Sequence, residues 1–516
     1  MSSSPRTRFL LQSSVIVMVL FGLDKLLGLA RAILVGGAFG TGGEFDAFTA
    51  ANQLPELFVA LISGGALAAA FIPVYSAYRN SDRANQSAQL ASATLTLVFL
   101  ALALISASGI LFATPVTRIL VPDFSPAQQA LTASLMRIIL VQTTIFGVSG
   151  VLSSILNAHQ HFILPALAPS MLHAGYLFGL YALVPRWGVH GLAWGTVLGG
   201  LLHVAIQIPG LIRYGFRYRP RLGLELSGVR EIIRLMGPRM VTLGAVQLAD
   251  LFLLRLLSGL DAGSTSAYFY GYYLQQLPET LLGTAIAIVI FPTLAELFNT
   301  RDREGLKQTA TAALRIIWTL TVPAAAAMIL VGQPAIRLVL ERGAFDANST
   351  LLVYRVMVFL SVRVVSEATL EIVARLFYAQ HDTRTPMVAK IGWLVTNVAL
   401  AYLLVDSLGL GGIALASTIA FTLESSVLLV LNHRRLGGLG GYGLLPAMGR
   451  ALLASAVMAG VILALRQVLP GDVVFLAAAL PLGLIVYFLT SRLLGSEEIP
   501  TLIRLLRKRR GNSGEL

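Results

Sequence analysis

The sequence has no cysteine and few charged residues. Among 516 residues there is no Cys, and Asp, Glu, Lys and Arg together make up 12%, about half the share of a typical soluble protein. The missing cysteine excludes disulfide-stapled folds, cysteine-ligated zinc sites and thiol catalysis. The scarcity of charge, with 56% of the residues apolar, excludes a disordered chain and is typical of a polytopic membrane protein.

Signatures of common enzyme classes are also missing from the sequence. It contains no Gly-rich phosphate loop, no paired His–Glu metal motif and no nucleophile elbow. His159 and His161 have no carboxylate near them in the sequence, so we interpret them as polar loop residues rather than metal ligands. We therefore predict that the protein is not an enzyme and holds no cofactor, with a coupling cation as the one exception left open.

Long apolar segments predict an all-α membrane protein with about fourteen transmembrane helices, because a spanning helix needs about 20 residues. The net charge of +13 comes from Lys and Arg residues concentrated in connections of one side. This pattern places both termini in the cytoplasm and indicates contact with membrane lipids rather than nucleic acid. The predicted spans are 12–36, 46–78, 88–114, 128–158, 163–184, 189–212, 230–259, 264–298, 308–331, 347–379, 386–405, 409–432, 443–465 and 473–493.

Short matches between the two halves of the chain indicate an internal repeat. The matching stretches are 158–165 with 379–386, 188–193 with 409–414, and 54–56 with 277–279. Six predicted helices separate equivalent positions, and this even number predicts two parallel six-helix bundles related by an axis along the membrane normal. The predicted domains are an N-terminal bundle (1–220), a C-terminal bundle (221–435), a terminal helix pair (436–500) and a basic cytoplasmic tail (501–516).

Ionisable residues within predicted spans are the main candidates for function, since a charge at mid-bilayer costs about 2.5–3.5 kcal/mol. The first helix carries Asp24, Lys25 and Arg31. Asp24 lies seven residues before Arg31 on the same helix face. One interpretation for Asp24 is an internal salt bridge that joins helices, and lining of the cavity is the alternative. One carboxylate cannot neutralise both cations, which favours a cavity-lining role for Lys25 and Arg31.

The tenth helix carries four charges at intervals of four residues, namely Arg363, Glu367, Glu371 and Arg375. This spacing predicts ion pairs along one face of the helix, with lining of a cavity as the alternative for Arg363 and Glu367. Either interpretation also stands for the remaining charges in the neighbouring helices, which are Asp250, Arg255 and Glu279.

Several motifs are similar to those of one known family. The first helix carries Lys25-Leu-Leu-Gly-Leu-Ala-Arg31, and the loop after the tenth helix carries Phe377-Tyr-Ala-Gln-His-Asp-Thr-Arg-Thr-Pro386. Over nearly its whole length the chain resembles the MurJ (MviN) lipid II flippases of the multidrug/oligosaccharidyl-lipid/polysaccharide exporter superfamily. Further matching stretches are Phe39-Gly40, Asp46-Ala-Phe48, Leu54-Pro55, Phe71-Ile-Pro73 and Leu340-Glu-Arg-Gly-Ala-Phe345.

The resemblance implies fourteen helices, a cationic central cavity and alternating access. Lipid II, a polyprenyl-pyrophosphate-linked glycan, would move from the inner to the outer leaflet of a bacterial cytoplasmic membrane. The resemblance also implies that the terminal helix pair borders a groove for the lipid tail, and that cell-wall synthesis enzymes are candidate partners. By position in the motifs, the residues implied to bind substrate are Lys25, Arg31 and Asp46.

Other family positions carry different residues in this sequence. Ala32 replaces an acidic residue, while Ala60 and Tyr273 stand where arginines are expected. A sodium ion, which some family members are thought to use, would fall to Asp250 and Asn397. These departures keep two alternatives open, namely an exporter of another undecaprenyl-linked saccharide or of a drug, and a non-transporting scaffold for cell-wall enzymes. Tyr273 itself is retained as a candidate lining residue of the cavity.

Overall fold

The computed structural model describes residues 5–63, 65–80, 84–496 and 498 of the chain. Within these residues the protein is helical and no strand forms, although an isolated bridge joins Arg342 and Phe345. The predicted tail at 501–516 lies outside the described residues. The all-α fold class is confirmed.

Eleven α-helices precede residue 260 of the chain. They are α1 (Pro5–Phe39), α2 (Gly43–Phe58), α3 (Gly65–Arg79), α4 (Ala84–Leu111), α5 (Ala113–Leu120), α6 (Pro126–Ala158), α7 (Ile163–Phe178), α8 (Val184–Trp187), α9 (Val189–Ala205), α10 (Ile208–Arg213) and α11 (Ser227–Ser258). Among the described residues eight more α-helices follow, namely α12 (Ser264–Glu279), α13 (Ala285–Asn299), α14 (Arg303–Leu340), α15 (Ala347–Ala379), α16 (Arg384–Leu408), α17 (Leu410–Arg435), α18 (Leu444–Val468) and α19 (Asp472–Leu493).

Each predicted span coincides with a long helical segment among the described residues. Eleven of these segments are long and apolar enough to cross a membrane. The other long helices, α1, α11 and α15, each carry several charged residues. The apolar segments form helices because a backbone in hydrocarbon must satisfy its own hydrogen bonds. The number of fourteen crossings stays a prediction.

Contacts divide the chain into two compact units, residues 1–266 and 267–516. The first unit includes α11, which packs against α2 and α3. In the first unit, α7 and α9 pack through glycines, so that the Cα of Gly199 lies 2.2 Å from the position that a Cβ on Gly175 would take. In the second unit, α14 packs against α15, α18 and α19, and α17 packs against α15 and α16.

Local backbone features recur at the spacing of the predicted repeat. A π-helical turn interrupts the second predicted span at Val59–Ser63 and the eighth at Thr280–Thr284. Each turn lies shortly after a helix-interior proline, which cannot donate a backbone hydrogen bond. Positive φ angles also recur, at Gln160 and His381 and at Gly188 and Gly409. This agreement supports the repeat, while the domain bounds drawn from it stay a prediction.

Candidate functional site

Two cations of α1 form the centre of the candidate site in the first unit. The side chain of Lys25 is exposed, and that of Arg31 is partly exposed. The guanidinium carbon of Arg31 lies 4.5 Å from the ring centroid of Tyr176 on α7. A guanidinium over an aromatic face is held electrostatically by the ring while its N–H groups stay available at the edge. The structure therefore orients Arg31, and no carboxylate of the described residues forms an ion pair with it.

Asp24 joins α1 to α7 through a histidine. Its Oδ1 lies 3.2 Å from Nε2 of His173, and both side chains are mostly buried. Among the described residues no ion pair links Asp24 to Arg31. Asp24 thus faces His173 of α7, and its role in the site stays a prediction.

Glu56 on α2 is another acidic residue of this region, and it was not predicted as a candidate from the sequence. The Nδ2 of Asn52 donates a hydrogen bond to its Oε1 at 2.6 Å. Arg31 and Asp250 are both near enough to act electrostatically on Glu56. The one signal in the sequence was the recurrence of Leu-Pro-Glu at 54–56 and 277–279. Carboxylate, guanidinium and the Tyr176 ring thus converge on one region of the first unit.

Asp46 has a structural position that the resemblance did not predict. It is 1% exposed, and its two oxygens accept hydrogen bonds from the backbone N–H groups of Gly263 at 2.6 Å and Ser266 at 2.7 Å. These donors lie at the beginning of α12, where unpaired N–H groups favour a carboxylate. Asp46 therefore caps the beginning of α12 in this structure, and its role in substrate binding stays a prediction.

Arg255 and the positions of the missing family residues add no further cation next to Arg31. The guanidinium of Arg255 donates a hydrogen bond to the carbonyl of Ile119, at the end of α5, over 3.1 Å. This contact caps the C-terminal end of a helix, and the cavity-lining role of Arg255 stays a prediction. Ala32 and Ala60 are half-buried apolar residues of the first unit, and half-buried Tyr273 lies on α12 in the second unit.

In the second unit, the charges of α15 pair as their spacing predicts. The Nε of Arg363 lies 3.0 Å from Oε2 of Glu367, and Glu371 pairs with Arg375. Arg363 is 5% exposed, donates a hydrogen bond to Oγ of Ser417 at 2.9 Å, and lies 4.0 Å from the ring centroid of Phe421. The internal salt-bridge interpretation is confirmed for both pairs.

A second buried ion pair joins α16 to α17. The Nζ of Lys390 lies 2.7 Å from Oε2 of Glu424, whose side chain is 1% exposed. Lys390 also lies over the rings of Trp393 and Phe421, at 4.7 and 4.8 Å from their centroids. Lys390 and Glu424 are 34 positions apart, so helical spacing gave no signal for this pair. The ring of Phe421 therefore contacts two cations, Lys390 and Arg363.

Glu279, Asn397 and Asp250 are the remaining polar candidates. Glu279 is 3% exposed and accepts a hydrogen bond from Oγ1 of Thr284 at 3.1 Å. Asn397 is 1% exposed on α16, and its Oδ1 has no hydrogen-bond partner among the described residues. Asp250 lies on α11 in the first unit. A role of Asp250 and Asn397 in sodium binding stays a prediction.

A groove of about 540 Å³ runs between α14, α15, α17 and α18 of the second unit. Its walls are aliphatic, and a few hydroxyl groups lie among them. The lining includes Val322, Ile329, Val362, Leu429, Leu452 and Ser455. Such a lining suits an aliphatic chain rather than a charged headgroup, and α18 belongs to the predicted terminal pair.

The chain can now be compared with known proteins. The family model described as lipid II flippase MurJ matches residues 35–482. The chain belongs to this family. The Burkholderia cenocepacia lipid II flippase MurJ is 28% identical over 423 residues, which are 80% of this chain and 82% of that protein. A probable lipid II flippase MurJ of Bdellovibrio bacteriovorus is 28% identical over 493 residues, 93% of this chain and 94% of the relative.

Solved structures show the same fold. A lipid II flippase MurJ in an inward closed conformation superposes with a TM-score of 0.81 at 22% identity, covering 93% of this chain and 98% of that one. An inward-facing multidrug transporter of the MATE family superposes with a TM-score of 0.69 at 15% identity, covering 83% and 99%. The predicted family is confirmed, and the protein is a multi-pass bacterial membrane protein of that family.

Proposed function

We propose that this protein is a flippase that moves lipid II from the inner to the outer leaflet of the cytoplasmic membrane by alternating access. The observation that carries the proposal is the position of Arg31, a partly exposed cation inside a membrane helix, oriented by Tyr176 and separate from the Asp24 pair. A charge in such a helix is costly unless it serves a polar ligand or a hydrated cavity.

The chemistry of a pyrophosphate fits the two exposed cations of α1. Arg31 presents a planar fork that can bind two phosphate oxygens, and Lys25 presents a point charge. A sugar-peptide headgroup cannot cross hydrocarbon unaided, because its polar groups would lose their hydrogen bonds. A polar path removes that penalty while the prenyl tail stays apolar, and we assign the tail to the groove that Val362 and Leu452 help to line.

The second candidate is an exporter of another undecaprenyl-linked saccharide. It is favoured by Ala60 and Tyr273, which remove two cations expected in the family, and by Glu56, a carboxylate near enough to Arg31 for an electrostatic effect. Depletion of the protein in its own cell separates the candidates. Inner-leaflet lipid II accumulates under our proposal, a different lipid-linked saccharide accumulates under the second, and neither accumulates if the protein is a scaffold for cell-wall enzymes.

A direct test measures lipid II translocation by the purified protein in vesicles. Removal of a charge-assisted contact costs about 1.5–3 kcal/mol, so Arg31→Ala should lower translocation roughly 10- to 100-fold with unchanged membrane abundance. Arg31→Lys should recover only part, because a point charge replaces the fork. The matched control is Arg137→Ala, since the exposed Arg137 of the same unit bonds only to Ile110 and Thr114. Equal effects of Arg31→Ala and Arg137→Ala would contradict the proposal.

The orientation in the membrane, with both termini cytoplasmic, is part of the same proposal. Because the chain has no native cysteine, single cysteines can be introduced without a background. Gly42→Cys, in the connection before α2, should react with an impermeant thiol reagent added to intact spheroplasts. Tyr218→Cys and Arg303→Cys should react only after permeabilisation. The reverse pattern would overturn the topology and the parallel repeat together.

A further inference from the structure

The contact between Asp24 and His173 has chemistry that the flippase proposal does not use. Oδ1 of Asp24 and Nε2 of His173 lie 3.2 Å apart, with side chains 17% and 11% exposed. Nδ1 of His173 has no hydrogen-bond partner among the described residues. An imidazole is the side chain whose charge changes near neutral pH. The pair therefore has a net charge of −1 with neutral imidazole and of zero with imidazolium.

This pair adjoins the cations assigned to the pyrophosphate. Lys25 follows Asp24 directly, and Arg31 lies seven residues later, about 10 Å along the helix axis. When the imidazole is neutral, the charge of Asp24 competes with an anionic ligand for these cations. When the imidazole is protonated, the charge of Asp24 is neutralised and the cations attract the ligand more strongly.

We propose that Asp24 and His173 form a proton-binding site that is linked to the binding of the cargo pyrophosphate. The inference rests on the flippase function proposed above and adds a proton as the cation bound together with the cargo. By linkage, a proton that strengthens pyrophosphate binding must itself bind more tightly when the pyrophosphate is present. One unit charge at about 10 Å, at an effective dielectric constant of about 20, changes an equilibrium constant roughly tenfold.

Other ionisable groups lie around the pair, and the experiment must distinguish their effects from those of Asp24 and His173. On α1 these groups are Lys25 and Arg31, and on α7 Tyr176 lies three residues after His173. On α9, His203 lies near enough to Asp24 for an electrostatic effect. Glu56 of α2 acts on Tyr176.

The hydrogen bonds of His203 differ from those of His173. Nδ1 of His203 lies 2.6 Å from Oγ of Ser149, and Nε2 of Gln207 donates a hydrogen bond to the same Oγ at 2.7 Å. His203 is thus held in a network of neutral groups, whereas His173 directly contacts a carboxylate. This difference favours His173 as the proton acceptor.

The experiment measures lipid II affinity of the full-length protein in nanodiscs between pH 5.5 and pH 8.0. Wild-type affinity should fall about tenfold across this range, beyond the change due to titration of lipid II itself. His173→Gln leaves Asp24 permanently charged and should bind weakly at every pH. Asp24→Asn removes the competing charge, so this variant should bind tightly at every pH.

The proposal predicts opposite lipid II affinities for the two variants, weak for His173→Gln and tight for Asp24→Asn. A purely structural role of the pair predicts instead that both variants lose affinity. The matched control is His190→Gln on α9, because His190 contacts Oγ of Ser134 and no carboxylate. It should retain the wild-type pH dependence. The inference is overturned if His173→Gln retains the pH dependence of the affinity. It is also overturned if His203→Gln is the one variant that loses this dependence. If the wild type binds lipid II saturably but without pH dependence, the inference is overturned and the flippase proposal stands. If the wild type shows no saturable binding at any pH, the flippase proposal is overturned as well.

Discussion

The buried ion pair between Lys390 and Glu424 gives the sharpest prediction about stability. Glu424 is 1% exposed at its side chain and 2.7 Å from Nζ of Lys390, while its other oxygen has no hydrogen-bond partner in the described part of the chain. Lys390→Met would therefore leave a buried, uncompensated carboxylate, which costs about 3–5 kcal/mol. The lost contacts with the rings of Trp393 and Phe421 add to this cost.

The double variant makes the prediction specific to the pair. Replacement of both partners by apolar residues of similar volume is often neutral or stabilising. We expect Lys390→Met with Glu424→Met to return to within about 1 kcal/mol of the wild type. The free energy of unfolding can be measured by steric trapping in bicelles. The matched control is Arg466→Met, because Arg466 is 45% exposed in its pair with Asp472, and it should cost at most about 1 kcal/mol.

Two results would refute this reasoning. If the double variant is as unstable as Lys390→Met, the single effect does not come from an unpaired carboxylate. If the single variant is no less stable than Arg466→Met, Glu424 is hydrated or protonated rather than buried as an anion. Translocation by the double variant should also stay near the wild-type rate, since the pair is structural in this account.

Two further predictions concern helix packing and the loop before α16. Gly175→Ala should destabilise the first unit by about 1–3 kcal/mol or more, because the new Cβ would lie 2.2 Å from backbone atoms of α9, whereas Gly460→Ala has no atom within 4 Å to meet and should be neutral in a thermal-unfolding assay. Although burial raises the pKa of Asp382, hydrogen bonds from Thr385 and Arg435 hold it at about 2, below its usual 3.8. The stabilisation by Asp382 is therefore present above pH 4 and is lost as the pH falls towards 2. The difference in melting temperature between wild type and Asp382→Asn should shrink over that interval, and a constant difference would show that the charge has no part in it.

The part of the fold that was predictable from the sequence depends on local patterns of neighbouring residues. The apolar segments predicted the long helices, because hydrocarbon leaves a backbone no hydrogen-bond partners outside its own helix. The Arg363–Glu367 pair was predictable for a related reason, since residues four apart in a helix are neighbours whatever packs around them. Recurrence of Leu-Pro-Glu likewise marked two π-helical turns that the structure places at the same spacing.

Only the tertiary structure decided which distant groups meet. Asp24 contacts His173 rather than Arg31, Asp46 caps a helix that begins 218 residues later in the chain, and Lys390 pairs with Glu424 across two helices. These contacts depend on how each helix is rotated about its axis and on which helices become neighbours. Hydrophobic periodicity gives little information on either, because membrane helices are apolar on nearly all faces. The sequence thus determined that α1 carries Asp24, Lys25 and Arg31, and the packing of α7 against α1 decided that Asp24 faces His173 while Arg31 lies over the ring of Tyr176.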